Sequence, residues 1–278
     1  MITATAPLIG MIAALAARAM RDEVELTPKP GLVDRLDNGS HKDMNLSLFL
    51  MSAGVIKPFL VEMARAVSPD GGSLSVLPVL RPIGIRAEEA MFKATGGINT
   101  HKGQIFSLGV CTAAAMRVGN SAAAVLEEAG RICSGICGEL KGAGSNGQKA
   151  FLLYGSRGIR GEAEESFPSV RNNSLPRYRH AEKNGLSPEE AALESLIYLM
   201  TEVEDSNVLY RRGREGLSLM REKAEGFILS GGMMQEQAYA KLGEMNNFFI
   251  QENISPGGCA DLLALTLFLA ELEDSLGR

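Results

Sequence analysis

The sequence predicts an all-α fold, a single multi-helix domain over residues 1–278. Apolar residues recur at helical spacing along most of the chain. Ser, Thr and Pro stand where those apolar patterns begin, as helix caps and first-turn residues do. Only "SLSVLPVL" (73–80) has β-like character, and Pro78 interrupts it.

Thr5 and Pro7 open a first helix in which Leu8, Met11, Ile12, Leu15 and Ala19 share one face. "PLIGMIAALAARA" resembles the apolar part of a signal peptide, but no Lys or Arg precedes it; the first is Arg18. An amphipathic core helix is the better reading. "GQIFSLGVCTAAAMRVG" (103–119), "SAAAVLEEAGRICSGICGEL" (121–140), "MMQEQAYAKLGEMNNFFIQ" (233–251) and "ADLLALTLFLAELEDSL" (260–276) continue the helical pattern. "SPEEAALESLIYLMTEVE" (187–204) begins with Ser187 as cap, Pro188 in the first turn and Glu190 closing a capping box. No run of about 18 apolar residues is seen, so no membrane span is expected. The chain reads as cytoplasmic.

Composition excludes other classes. A net charge of -5 gives no overall basic field for nucleic acid. Trp is absent and aromatics are 5% of residues, too few for a base-stacking platform. Cys111, Cys133, Cys137 and Cys259 lie in apolar or small-residue stretches, as reduced buried cysteines do. Cys133 and Cys137 share a helix face, but no second pair follows at zinc-site spacing.

Five polar segments rich in Gly or Pro interrupt the helices: 23–44, 95–103, 158–170, 204–213 and 253–263. Each alone reads as a surface loop. Together they interleave charge with small residues, which suits a site. In "SPGG", Ser255 caps and Pro256 suits the first turn, yet Gly257 and Gly258 cost roughly 1 kcal/mol each against Ala. A phosphate on the exposed helix-start amides would offset that; a tight helix crossing is the alternative. Pro28 and Pro30 stiffen the chain around Lys29, and Asp34, Asp37, His41, Lys42 and Asp43 follow. Carboxylates beside lysines suit Mg²⁺ held with phosphate oxygens, or plain surface ion pairs.

"TPKPGLVDRLDNGSHKDM", "AEEAMFKATGGINTHKGQIFSLG", "GIRGEAEESFPSV", "DSNVLYRRG" and "NISPGGCADLLALTLFL" resemble, in order, the motifs of the triphosphoribosyl-dephospho-CoA synthase family. The likeness runs from about residue 20 to 270. It implies a mainly helical enzyme that uses ATP and 3′-dephospho-CoA, releases adenine, and makes the prosthetic-group precursor for citrate lyase or malonate decarboxylase. A separate transferase then attaches that product to an acyl carrier subunit.

By the same resemblance, Glu23, Lys29 and Asp34 take the family's positions in the first motif, with His41, Lys42 and Asp43 after them. Glu88, Asn99, His101 and Lys102 follow, then Glu162, Glu164, Asp205, Asn207, Arg211, the Ser255–Gly258 turn and Asp261. The implied roles are catalytic for Glu88, Asp34, Asp43 and His101. Lys29, Lys42, Asn99, Lys102, Arg211, Ser255, Gly257 and Gly258 are to bind nucleotide, and Asp34, Asp43, Glu88 and Asp205 to hold Mg²⁺. Cys259 departs from an expected Ser, and Arg212 and Arg214 add charge where glycine is usual.

Breaking the N-glycosidic bond while a 2′-hydroxyl attacks calls for a carboxylate near the ribose, a base, and a proton for adenine. The triphosphate is a handle that wants Lys, Arg, Mg²⁺ and a helix start. Two rivals remain: a Mg²⁺-dependent helical ribosyl hydrolase, and a non-catalytic nucleotide-binding protein. The residues leave the oligomeric state open, a homodimer included.

Overall fold

The computed structural model describes residues 5–67, 72–141 and 146–276. Twelve α-helices and four short 3₁₀ or π segments make up its regular structure, with no strand among the described residues. The helices are α1 (Ala6–Glu25), α2 (Leu46–Arg65), α3 (Val76–Thr95), α4 (Lys102–Val118), α5 (Ala122–Ile132) and α6 (Asn146–Tyr154). They continue with α7 (Gly158–Glu164), α8 (Leu175–Lys183), α9 (Pro188–Glu202), α10 (Ser206–Leu229), α11 (Ala238–Gln251) and α12 (Gly257–Leu276). One cluster of buried apolar side chains draws on all twelve.

Two helices are apolar on nearly every face and therefore enclosed. In α4, every residue from Ile105 to Met116 except Phe106 is buried, and α12 is buried along most of its length. They pack on each other; α1 lies against both, α2 and α3 cover α4, and α8 and α9 cover α12. This arrangement sets the first turns of α4 and α12 side by side, next to the start of α10.

Local signals account for several boundaries. The Ser187–Glu190 capping box opens α9 as expected. Asn45 accepts from the Leu48 amide to start α2. At the end of α3, Gly96 adopts φ 68° and Gly97 φ 94°, and the Gly97 amide returns to the Phe92 carbonyl at 2.7 Å.

Four expectations need correction. Residues 73–80 form a 3₁₀ turn and the start of α3, because Pro78 falls in a first turn that needs no amide from it and Val76 and Leu80 meet the core. Segments 158–170 and 204–213 are largely helical, as α7 and the start of α10. The helix over 121–140 stops at Ile132, and a 3₁₀ turn at Ile136–Lys141 follows Gly135 (φ 82°), so Cys133 and Cys137 do not share one α-helix. Finally, α2 does have the length and apolar composition of a membrane-crossing segment. It packs on α1, α3 and α4 and carries Lys57 and Pro58.

Candidate active site

The first turns of α4, α10 and α12 converge, so the positive ends of three helix dipoles meet at one junction. Two adjoining cavities open there, of about 410 and 350 Å³. Asn99, Lys102, Gly103, Asn207 and Asp261 line both and form the shared wall.

Polar side chains tie this junction together. Buried Asp205 accepts from the Asn207 (2.8 Å) and Val208 (3.2 Å) amides at the start of α10, and from the Cys259 amide (2.9 Å) in α12. One carboxylate thus caps two helices. Burial raises its pKa, and these hydrogen bonds work against the rise. The glycines make room for such groups. A Cβ on Gly258 would lie 3.0 Å from Asp205 Oδ2, one on Gly257 2.7 Å from Asn207 Nδ2, and one on Gly103 would overlap the Asp261 carboxylate.

The larger cavity is acidic. Glu88, Glu162, Glu165, Glu202, Glu204 and Asp205 line it, against Lys102, Arg157 and Arg160. Glu162 accepts from the Ser169 hydroxyl (2.6 Å), while burial raises its pKa. Arg157 pairs with Glu165. Arg160 has no hydrogen bond or ion pair among the described residues, and its Nη1 is buried without a partner.

The smaller cavity is lined by Lys29, Lys102, Arg211 and His41, with Glu23, Asp43 and Asp261 as its acids. Lys29 Nζ meets Glu23 Oε1 at 2.5 Å, both buried, and Gln104 Nε2 donates to Glu23 Oε2 at 3.1 Å. Lys102 Nζ pairs with Glu88 Oε2 at 2.7 Å. Arg211 donates to the Ser40 carbonyl and to Asn253 Oδ1, and to no carboxylate among the described residues. His41 Nε2 lies 2.7 Å from Ser255 Oγ, and burial, then Arg211, lowers its pKa to about 4. Asp261 makes no hydrogen bond or ion pair among the described residues. Burial, then Glu23 and Asp205, pushes its pKa well above the usual carboxylate range.

Residues 10–278 match the model of the ATP:dephospho-CoA triphosphoribosyl transferase family. The chain belongs to this family. It is 39% identical to a "probable 2-(5''-triphosphoribosyl)-3'-dephosphocoenzyme-A synthase" of Photobacterium profundum, over 96% of this chain and 89% of the relative. It is 38% identical to a protein of the same description from Vibrio cholerae, over 94% and 88%. No solved structure matches it.

For this triphosphoribosyl transferase, the fold gathers Lys29, Glu88, Asn99, Lys102, Asp205, Arg211, Ser255, Gly257 and Gly258 around the two cavities, with Asp43 at a rim. Other predicted residues lie elsewhere. Asp34 lines neither cavity; its oxygens accept from the Lys29, Leu36 and Asp37 amides and hold the 29–37 turn. His101 is fully buried, with Nδ1 2.8 Å from Ser52 Oγ and its ring edge-on to Phe49, and it lines neither cavity. Lys42 is exposed and outside both cavities. Ser255 does not cap α12: its hydroxyl meets His41, and Asp205 does the capping. Arg212 pairs with Glu252, and Arg214 donates to the Tyr154 carbonyl, so neither adds charge to a cavity. Cys259 is buried, its thiol pKa pushed well up by burial and Asp205. Arg157 and Arg160, which line the larger cavity, and Gln104 and Tyr210, which line the smaller, lie outside the sequence-predicted set. Arg160 sits within the "GIRG" of a segment already singled out, and Gln104 directly follows "NTHKG".

No three His, Cys, Asp or Glu side chains among the described residues are placed to cage a metal. Of the four predicted Mg²⁺ ligands, Asp34 and Asp205 spend their oxygens on amides and Glu88 is paired with Lys102. Asp43, 63% exposed, is the one facing the cavity of Lys29 and Arg211.

Proposed function

We propose that this enzyme transfers the 5-triphosphoribosyl group of ATP to the 2′-hydroxyl of 3′-dephospho-CoA and releases adenine. The observation that carries the reading is the pair of cavities with one shared wall, since the reaction must bring two nucleotides together at a single carbon. The triphosphate is assigned to the smaller cavity, beside Lys29, Lys102 and Arg211. Magnesium ions generally keep several waters and take one or two carboxylates with phosphate oxygens. A cation carried in on ATP therefore needs little more than Asp43, where it would offset phosphate charge.

Dephospho-CoA is assigned to the larger cavity, its diphosphate toward Arg160 and its ribose toward the shared wall. The transition state carries positive charge on the transferred ribose, and the carboxylates of the larger cavity stabilise it. One of Glu88, Glu162 and Glu204 accepts the 2′-hydroxyl proton. A 3′-phosphate on the acceptor would meet those same carboxylates. The reaction belongs in the cytoplasm, where ATP is made, and its product is a substrate for an enzyme that loads a carrier protein.

The test follows adenine by chromatography. Adenine release is expected only with both ATP and dephospho-CoA, and to fall at least about tenfold with CoA, equivalent to 1.4 kcal/mol. Release without an acceptor would point to the hydrolase, and no release to a binding protein.

A further inference from the structure

We propose that Asp261 is the catalytic acid that delivers a proton to adenine as it leaves; this rests on the transfer reaction proposed above. Among the described residues, Asp261 is the only acid on the wall common to both cavities. Carbon C1′ must pass from one nucleotide to the other there. The neighbouring acids are committed: Glu23 to Lys29 and Gln104, Asp205 to three amides, Glu88 to Lys102, and Glu162 to Ser169. Asp261 alone among them has no partner among the described residues, and Gly103 leaves the space its carboxyl occupies. The Glu23 and Asp205 carboxylates close by favour its proton-bearing form. An acid poised in this way, with a different carboxylate serving as base, separates the two proton transfers.

In the step, the C1′–N9 bond breaks and its electron pair goes to adenine, while the Asp261 proton moves to a ring nitrogen of the base. A lone pair of the acceptor 2′-oxygen forms the new C1′–O bond. The 2′-hydroxyl proton goes to a carboxylate of the larger cavity. Exchange with water restores both side chains once adenine has gone.

The experiment compares ATP with N7-methyl-ATP, whose base is already cationic and leaves without accepting a proton. Acceptor-dependent release by the unaltered protein is measured first; its absence would overturn the functional reading, and this proposal with it, before any variant is made. Asp261→Asn is then expected to lose about 10²-fold or more with ATP, and less than about tenfold with N7-methyl-ATP. Calorimetric affinities for ATP and dephospho-CoA should stay within about threefold, which also reports the fold; Asp261→Ala serves as a second variant with the same expected pattern. Equal losses on both donors, or no loss with ATP, would overturn the assignment.

Discussion

Lys102 bridges the two cavities, and in the free protein its ammonium is held by Glu88 at 2.7 Å. The two side chains are 41% and 28% exposed, so the pair itself stabilises by only about 0.2–1 kcal/mol. A hydrogen bond from Lys102 to a triphosphate oxygen is stronger, about 1.5–3 kcal/mol for a charged partner. Lys102→Ala is therefore expected to weaken ATP binding by roughly 10- to 150-fold. Glu88→Gln should do the opposite to binding: freeing the ammonium gains up to about 1 kcal/mol, or roughly fivefold in Kd. If Glu88 also steadies the ribose or takes the 2′-hydroxyl proton, the same variant loses turnover by about 10²-fold. Titration calorimetry with Mg-ATP gives the first quantity, and adenine release under saturating substrate gives the second. In the double variant the two binding effects should not add, because each acts through the same ammonium. Unchanged ATP affinity in Lys102→Ala would refute the placement of the triphosphate, and tighter binding with full turnover in Glu88→Gln would remove Glu88 from the chemistry.

Gly103→Ala puts a methyl where the Asp261 carboxylate lies. It is expected to reduce adenine release by about 10²-fold, with a stability loss of about 1–3 kcal/mol in urea melts. Acid should destabilise the fold through two histidines, His41 and His101, whose pKa values burial lowers to about 4 and about 3. The unfolded chain takes up those protons near pH 6.5, so the folded state loses stability as pH falls from about 6.5 toward 4, on the order of 3 kcal/mol for His41. Denaturant midpoints across that range should show the slope, and His101→Asn should flatten it.

The helices were largely readable because their signals are local. Ser187 and Glu190 close a box within four residues, and the α1 apolar face repeats within one window. Segments 158–170 and 204–213 were misread because glycine carries two meanings. Gly161 lies where a Cβ would crowd the Arg157 side chain and remains helical, whereas Gly213, at φ 64°, breaks the helical path within α10. Residue type alone does not tell the two apart. Lys29, Lys102 and Arg211 line the smaller cavity. His101 and Asp34 share their motifs, yet one turns into the core and the other inward onto its own turn. That choice depends on Ser52, Phe49 and backbone amides brought by folding, and a linear pattern does not contain it. Arg160 escaped notice for the converse reason, as a single cation among glycines and acids.

The three glycines at the junction also constrain how the family's sequences are able to drift. Gly103, Gly257 and Gly258 each yield their missing side-chain volume to one polar partner: Asp261, Asn207 and Asp205. Each pair is a lock with a single key. A lineage that acquires a side chain at 257 must first shorten the one at 207, and the intermediate passes through a damaged enzyme. Change at these six positions should thus be rare and paired, even where the surrounding helices exchange apolar residues freely.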